Sequence, residues 1–313
     1  MPLPDDYLVY PARRHGMDHE RYGWSDLFKR PKVEWPNGAK IALWVMPAAQ
    51  WFPLDSKHKP FRAPGGLSMP FPDYRYYTNR DYGNRVGSYR ILKILQERGI
   101  RSSFAVNGVI AERYPQLVQD IVEAGHEIVG HGLHMDQLHH SGLSGDEEQT
   151  IIAESLSLLR ELSGQAVTGW LSPGRAQSYA TPDILVRNGI RYACDWANDD
   201  MPYVMDTSAG QLLAMPHAYE TDDRVVMLDF HHTETSWVEQ IKDRFDVLYR
   251  EADTYGGRIL SLPLHGFVAG VPYRATYLKE VLDYVLGHDG VWVASGAEIA
   301  DAFSAQINAE RAG

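Results

Sequence analysis

Apolar residues along the chain fall into short dense runs that alternate with longer stretches of helical spacing. Lys40–Met46 (K-I-A-L-W-V-M) follows P-N-G and predicts a buried first strand. From Gly83 to Arg98, Val86, Tyr89, Ile91, Leu92, Ile94 and Leu95 recur at near-helical spacing, and Gly99 supplies the stop. Ser102–Val106 predicts a second strand and Pro115–Ala124 an amphipathic helix ended by Gly125. Ile128–Gly130 then predicts a short buried strand running into a histidine-rich stretch.

Ser144 and Glu147 have capping-box spacing, which opens a helix reaching about Leu162, with Gly164 as its terminator. Val167–Leu171 and Ile190–Cys194 predict strands flanking a helix that starts at Thr181-Pro182 and stops at Asn188-Gly189. Further strands are expected over Gln211–Met215, Val225–Phe230, Ile259–Leu264 and Val291–Ala294. Helices are expected over Ser236–Ala252, Arg274–Leu286 and Ser295–Phe303. Helices alternating with short apolar strands imply an α/β architecture with a parallel sheet, open or closed as a barrel.

Two regions break the alternation. Residues 1–38 are rich in charge and aromatics without sustained period, as expected for an arm laid over a domain or against a second subunit. Residues 47–80 are rich in proline and aromatics, as expected for a loop that walls or lids a pocket. The remainder, 39–313, is expected to be a single catalytic domain containing that loop.

Composition narrows the class of partner. With 44% hydrophobic and 23% charged residues the 313-residue chain is an ordinary globular protein. A net charge of -11 disfavours binding to nucleic acid or anionic membranes and says nothing against a small-molecule substrate. Cys194 is the only cysteine, so no intramolecular disulfide or cysteine-based zinc site exists. The first residues lack a basic region followed by an apolar run, and no stretch of about 18 apolar residues occurs, so the expected location is the cytoplasm.

In parallel α/β folds chemistry collects beyond the carboxyl ends of strands. Gln50 and Trp51 follow the first strand, while Asp81 and Arg85 precede the first helix. His131 and His134 follow the third strand, then come Ser172 and Arg175 in S-P-G-R. Asp195, Trp196, Asp199 and Asp200 lie in D-W-A-N-D-D, and His265 and Phe267 in L-H-G-F. Histidines and carboxylates at strand ends suit acid–base catalysis or a metal-bound water. Singly, each has a plainer reading: a strand-end histidine as a structural hydrogen-bonder, Asp199-Asp200 as a solvated turn. His139 and His140 are expected on a surface loop.

The ordered motifs H-E-I-V-G-H-G, G-W-L-S-P-G, D-W-A-N-D-D-M-P-Y, L-P-L-H-G-F-V-A-G-V-P-Y-R and H-D-G-V-W-V-A-S-G resemble the polysaccharide deacetylase (NodB homology) superfamily over about Lys40–Phe303. They are most similar to its branch of cofactor-free allantoinases, cyclic imide hydrolases and peptidoglycan-deacetylase-like proteins. The resemblance implies a distorted barrel of about seven β/α units. It also implies a divalent metal held by an aspartate and the two histidines of H-x-x-x-H, a second aspartate as base, and a late histidine as acid. His131 matches the first histidine and His265 the late one.

Departures from that pattern redirect the chemistry. Met135 stands four positions after His131, and P-A-A-Q puts Ala48 and Gln50 where carboxylates are expected. Thioether sulfur is a poor ligand for zinc or a harder ion. Either no metal is used, the preferred expectation, or a noncanonical zinc site is rebuilt from His131, His134 and a carboxylate such as Asp81. Without metal, the base would be Asp81 or an Asp199/Asp200 carboxylate, the oxyanion donor Arg85 or backbone N–H groups at Ser172–Arg175, and the acid His265. Trp51, Phe52, Phe71, Tyr74, Tyr76, Tyr77 and Trp196 could enclose a flat heterocycle, with Gln50, Phe267, Ser172 and Arg175 also lining the site. The expected activity is hydrolysis of a cyclic amide, imide or ureide. The alternatives are a metal-dependent carbohydrate N- or O-deacetylase and a noncatalytic binding relative. The arm, like that of allantoinase relatives, suggests a homo-oligomer.

Overall fold

The computed structural model describes residues 19–57 and 69–312, with side chains up to residue 307. Strand β1, Ile41–Ala49, is buried at every position, as expected for a strand covered on both faces. It pairs in parallel with β2, Ser103–Val106, at its last two residues, Ala48 and Ala49, and with β8, Arg258–His265, along nearly its whole length. Its first three residues also pair with β9, Val291–Val293. From β2 the sheet continues in parallel through β3, Glu127–Gly130, to β4, Gly169–Trp170, and β5, Tyr192–Ala193. It ends in β7, Gly210–Ala214, parallel to β5, and β6, Tyr203–Thr207, antiparallel to β7. The path closes on neither side, so the expected distorted barrel is realised as an open half-barrel with helices packed around it.

Helix α5, Gly145–Ser163, begins with the expected capping box between Ser144 and Glu147 and stops at Gly164 in the left-handed conformation. Such a cap contributes about 1 kcal/mol. Helices α4, Pro115–Glu123, α6, Thr181–Arg187, α7, Glu234–Tyr255, α8, Pro272–Leu286, and α9, Gly296–Ala312, also stand close to their predicted positions. Short α3, Gly108–Arg113, was not foreseen.

Two expectations are corrected. Val225–Phe230 is no strand. Its Val225–Asp229 portion is a turn of π-helix, because the Asp222 carboxylate accepts the N–H groups of Arg224 and Val225 and caps a helical start. The loop expected over 47–80 is also shorter, because helix α1, Tyr74–Tyr82, starts within it. Asp73 caps that helix by accepting from the N–H groups of Arg75 and Tyr76. Residues 58–68 of the loop and 1–18 of the arm lie outside the described residues.

Helix α1 runs through one π turn, Gly83–Gly87, into α2, Ser88–Gln96. That turn is pressed against the segment after β8. A Cβ at Gly87 would overlap the Gly266 carbonyl, and one at Gly270 would overlap both Gly87 and Gly266. Glycine is required here for close approach rather than for a special dihedral.

The described part of the arm lies on its own domain. Arg21 pairs with Asp183 at 2.7 Å, Arg30 pairs with Asp199 at 2.6 Å, and the Tyr22 ring packs edge-on against Tyr203. Among the described residues no helix is long and apolar enough to cross a membrane.

Candidate active site

Because β1 to β5 and β8 run in parallel, the residues that follow them emerge at one edge of the half-barrel. A cavity of about 400 Å³ opens there, lined among others by Ala48, Gln50, His131, Ser172, Arg175, His217, Asp222, His265 and Phe267. The strand-end rule therefore gathers Gln50, His131, Ser172, Arg175, His265 and Phe267 as expected.

His131 follows β3 and is fully enclosed. Its Nδ1 lies 2.6 Å from the Leu171 carbonyl, which can only accept, so Nδ1 carries the proton and Nε2 is the acceptor. The Gln50 amide nitrogen donates to that Nε2 at 3.0 Å. Burial pushes the His131 pKa down to about 4, against a weaker upward pull from the Leu171 carbonyl, so the ring is neutral. With Gln50 held this way round, its Oε1 is a buried acceptor with no hydrogen-bond partner.

His265 ends β8 under opposite conditions. Burial lowers its pKa, but the carboxylates of Asp222 and Asp223 together outweigh burial and raise it above the usual value. The Asp223 Oδ1 accepts from His265 Nδ1 at 2.7 Å, and its Oδ2 accepts the backbone N–H groups of His265 and Ala269, both at 3.0 Å. Asp222 Oδ1 lies 3.6 Å from the same Nδ1. The result is an oriented histidine–carboxylate pair whose Nε2 is left for the cavity.

His217, in the segment after β7, was not singled out from sequence. Arg175 donates to its carbonyl at 3.0 Å and to its Nδ1 at 2.8 Å. A guanidinium cannot accept, so Nδ1 is the lone-pair nitrogen and the proton sits on Nε2. That N–H is buried without a hydrogen-bond partner, and burial with Arg175 nearby keeps the ring neutral, well below its usual pKa. Arg175 is aimed at His217 from a left-handed backbone position, φ 56°. Ser172 is spent on structure: its N–H and hydroxyl both donate to Asp195, at 2.7 and 2.8 Å.

The other expected site residues lie outside this lining. Asp81 accepts from the Tyr114 hydroxyl at 2.5 Å, and Arg85 is exposed on the π turn. Asp199 is paired with Arg30, and Asp200 with Arg244 at 3.0 Å. The Trp51 ring packs against His134 and under Arg113, while Trp196 donates to Gln177 beside a neighbouring depression. His139 is enclosed rather than on the surface, against Trp170 and 3.5 Å from Glu148, whereas His140 is exposed. Phe52 and Tyr76 of the expected aromatic wall do line the cavity, and Asp222, Asp223, His217, Arg80 and Arg224 are the additions.

The rebuilt metal site of His131, His134 and Asp81 is not formed. Both His131 nitrogens are engaged, and His134 Nδ1 accepts the Asp136 N–H. Asp222, Asp223 and His265 do offer three ligand atoms within 4.8 Å of one another, the one such group among the described residues. Its donors fit a cation poorly. Both Asp223 oxygens already accept hydrogen bonds, Asp222 Oδ1 caps the π turn, and the Arg175 guanidinium stands 3.9 Å from Asp222 Oδ2. A divalent ion would have to displace a proton and sit beside a fixed positive charge.

The polysaccharide deacetylase family model matches residues 71–193, the part of the chain from α1 to β5 that carries His131. That stretch of the chain is similar to a polysaccharide deacetylase domain. A Schizosaccharomyces pombe protein provisionally named a polysaccharide deacetylase is 28% identical over 303 residues, 87% of this chain and 92% of its own. The Helicobacter pylori peptidoglycan deacetylase is 23% identical, over 71% of this chain and 85% of its own. The crystal structure of PuuE allantoinase superposes with a TM-score of 0.80 at 26% identity, covering 90% of this chain and 97% of that one. These likenesses indicate a hydrolase acting on C–N bonds other than peptide bonds, on a half-barrel fold shared with those structures.

Proposed function

We propose that the protein opens a cyclic ureide, imide or amide, as the likeness to PuuE allantoinase suggests, and that it does so without a metal, as the poor fit of Asp222, Asp223 and His265 to a cation suggests. The observation that carries this is a pair of buried, unpartnered polar atoms among the residues lining one cavity. The His217 Nε2–H is a donor and Gln50 Oε1 an acceptor. A ring amide presents the complementary pair, a carbonyl oxygen and an N–H, and binding it relieves two unsatisfied groups at once.

Water activated by the Asp222 carboxylate attacks the ring carbonyl carbon, and its proton passes to Asp222. Charge developing on the carbonyl oxygen is met by His217 Nε2–H, a neutral imidazole donor that needs no reorganisation. As the C–N bond breaks, protonated His265 gives its Nε2 proton to the leaving nitrogen while Asp223 holds the Nδ1 proton in place. The products are a carboxylic acid, which ionises in water, and an amine or ureido nitrogen, and the proton taken by Asp222 restores His265 for the next turnover. Positions that would hold a metal in deacetylase relatives are here Ala48, which faces His265 across the β1–β8 ladder, and Gln50, which serves ring recognition.

The test is turnover of allantoin, hydantoin and succinimide beside N-acetylglucosamine oligomers, each with and without chelator. Ring opening that survives chelation is expected. Acetate release abolished by chelator, with no ring opened, would establish the carbohydrate deacetylase reading, which the Helicobacter pylori relative favours.

A further inference from the structure

We infer that His131 fixes which way round the Gln50 amide faces the cavity, so that the site takes rings carrying an unsubstituted N–H and rejects the same rings alkylated on nitrogen. The inference rests on the reading of the cavity as a ring-opening site and narrows its class of substrate.

The direction is set outside the cavity and passed inward. The Leu171 carbonyl, one residue beyond β4, can only accept, and it lies 2.6 Å from His131 Nδ1. A neutral imidazole has one donor and one acceptor, so a proton fixed on Nδ1 leaves Nε2 as the acceptor. The Gln50 amide meets that Nε2 at 3.0 Å and must present its nitrogen. Its oxygen is then buried without a hydrogen-bond partner. Turning the amide over would set its oxygen against the lone pair of His131 Nε2, with two acceptors at hydrogen-bonding distance and neither satisfied. A second proton on the ring would remove the clash, but burial opposes it.

Backbone contacts close off the other way of relieving the constraint. Asn84 Nδ2 donates to the Gln50 carbonyl at 2.8 Å, and Asn107 Oδ1 accepts the Trp51 N–H at 2.8 Å. Asn107 Nδ2 also donates to the His131 carbonyl, so one buried carboxamide stitches the chain after β1 to the residue after β3. A glutamine free to rotate could offer a ligand either its oxygen or its nitrogen, whereas Gln50 is held with its oxygen unspent. A ring N–H satisfies that oxygen. An N-methyl group leaves it desolvated and unpaired, which is how hydrogen-bonding sites reject close isosteres. His131 is therefore a positioning residue that acts on the ring only through Gln50.

The experiment compares succinimide with N-methylsuccinimide on the wild-type protein, His131→Leu, His131→Gln and Gln50→Leu. On the wild type, succinimide is expected to exceed its methyl derivative in kcat/KM by at least about tenfold, mainly through KM. His131→Leu removes the acceptor that orients Gln50 and is expected to bring the ratio towards one, lowering kcat/KM for succinimide while leaving N-methylsuccinimide nearly unchanged. Damage to the fold would lower both together. Gln50→Leu is expected to give the same ratio, with no further change when His131→Leu is added to it, because the histidine acts through the glutamine. His131→Gln, whose amide can turn either face to Gln50, is expected to fall between the two and carries the test where His131→Leu does not fold. A wild-type ratio near one, or a ratio unchanged in the folded His131 variant, overturns the inference while ring opening itself stands. If neither imide is opened, calorimetric binding of the two compounds separates the questions. Tighter binding of succinimide that depends on His131 keeps this inference while the ring-opening reading falls, and equal binding or none removes both.

Discussion

His131 and His265 face one cavity from the same sheet, both are buried, and their pKa values are shifted in opposite directions. Behind the Nδ1 of His131 lies a backbone carbonyl; behind that of His265 lies a carboxylate, with a second close by. A carbonyl fixes the tautomer without repaying the cost of desolvating a charge, so burial wins and the ring stays neutral near pH 7. Two carboxylates outweigh burial and raise the pKa of the other ring. His131 is thus a fixture that holds Gln50, while His265 is held by a carboxylate that favours its protonated form.

The largest effect expected from this contrast follows removal of that proton. His265→Gln should lower kcat for ring opening by about 10²–10⁴-fold with little change in thermal unfolding. A loss under tenfold would show that the proton comes from elsewhere. A smaller effect, but a more telling one, is expected from Asp223→Asn. Since Asp223 raises the His265 pKa, the alkaline limb of kcat/KM should move to lower pH, with about tenfold less activity at pH 8. A limb that stays where it is would mean that the carboxylate does not set the difference between the two histidines.

The smallest effect is on stability. A histidine whose folded pKa is about 4 binds its proton more readily when unfolded, so its contribution is complete above about pH 6.5 and is lost as the pH falls towards 4. For His265, raised rather than lowered, the contribution is present below the unfolded value and lost as the pH rises through the folded one. Denaturant unfolding from pH 7 to pH 4 should therefore cost wild-type protein about 3 kcal/mol more than His131→Gln. Parallel losses in the two proteins would contradict a neutral, desolvated His131.

Much of this was legible in the sequence because it is local. Apolar runs gave β1, β3 and β8, the Ser144–Glu147 spacing gave the start of α5, and the strand-end rule placed His131, His265, Gln50, Ser172, Arg175 and Phe267 on one edge. What was missed depends on distant partners. Asp223 lies 42 positions before His265, and nothing in T-D-D-R distinguishes it from Asp199-Asp200, which turned outward to meet Arg30 and Arg244. The apolar Val225–Phe230 run has strand composition, yet the Asp222 side chain caps it into a helical turn. His217 carries no motif, and its role depends on Arg175 arriving from another strand end.

The glycine contact between Gly87, Gly266 and Gly270 joins the helical run that carries Arg80 to the strand that carries His265. The cavity wall formed by α1 and the strand end bearing His265 therefore share one joint in which backbone meets backbone. Substitutions that widen the joint would disturb both together. For a lineage exploring new substrates, this favours changing side chains of the cavity lining over moving the helix, so variation should accumulate at positions such as Phe52, Tyr76 and Phe267 while the joint itself stays fixed.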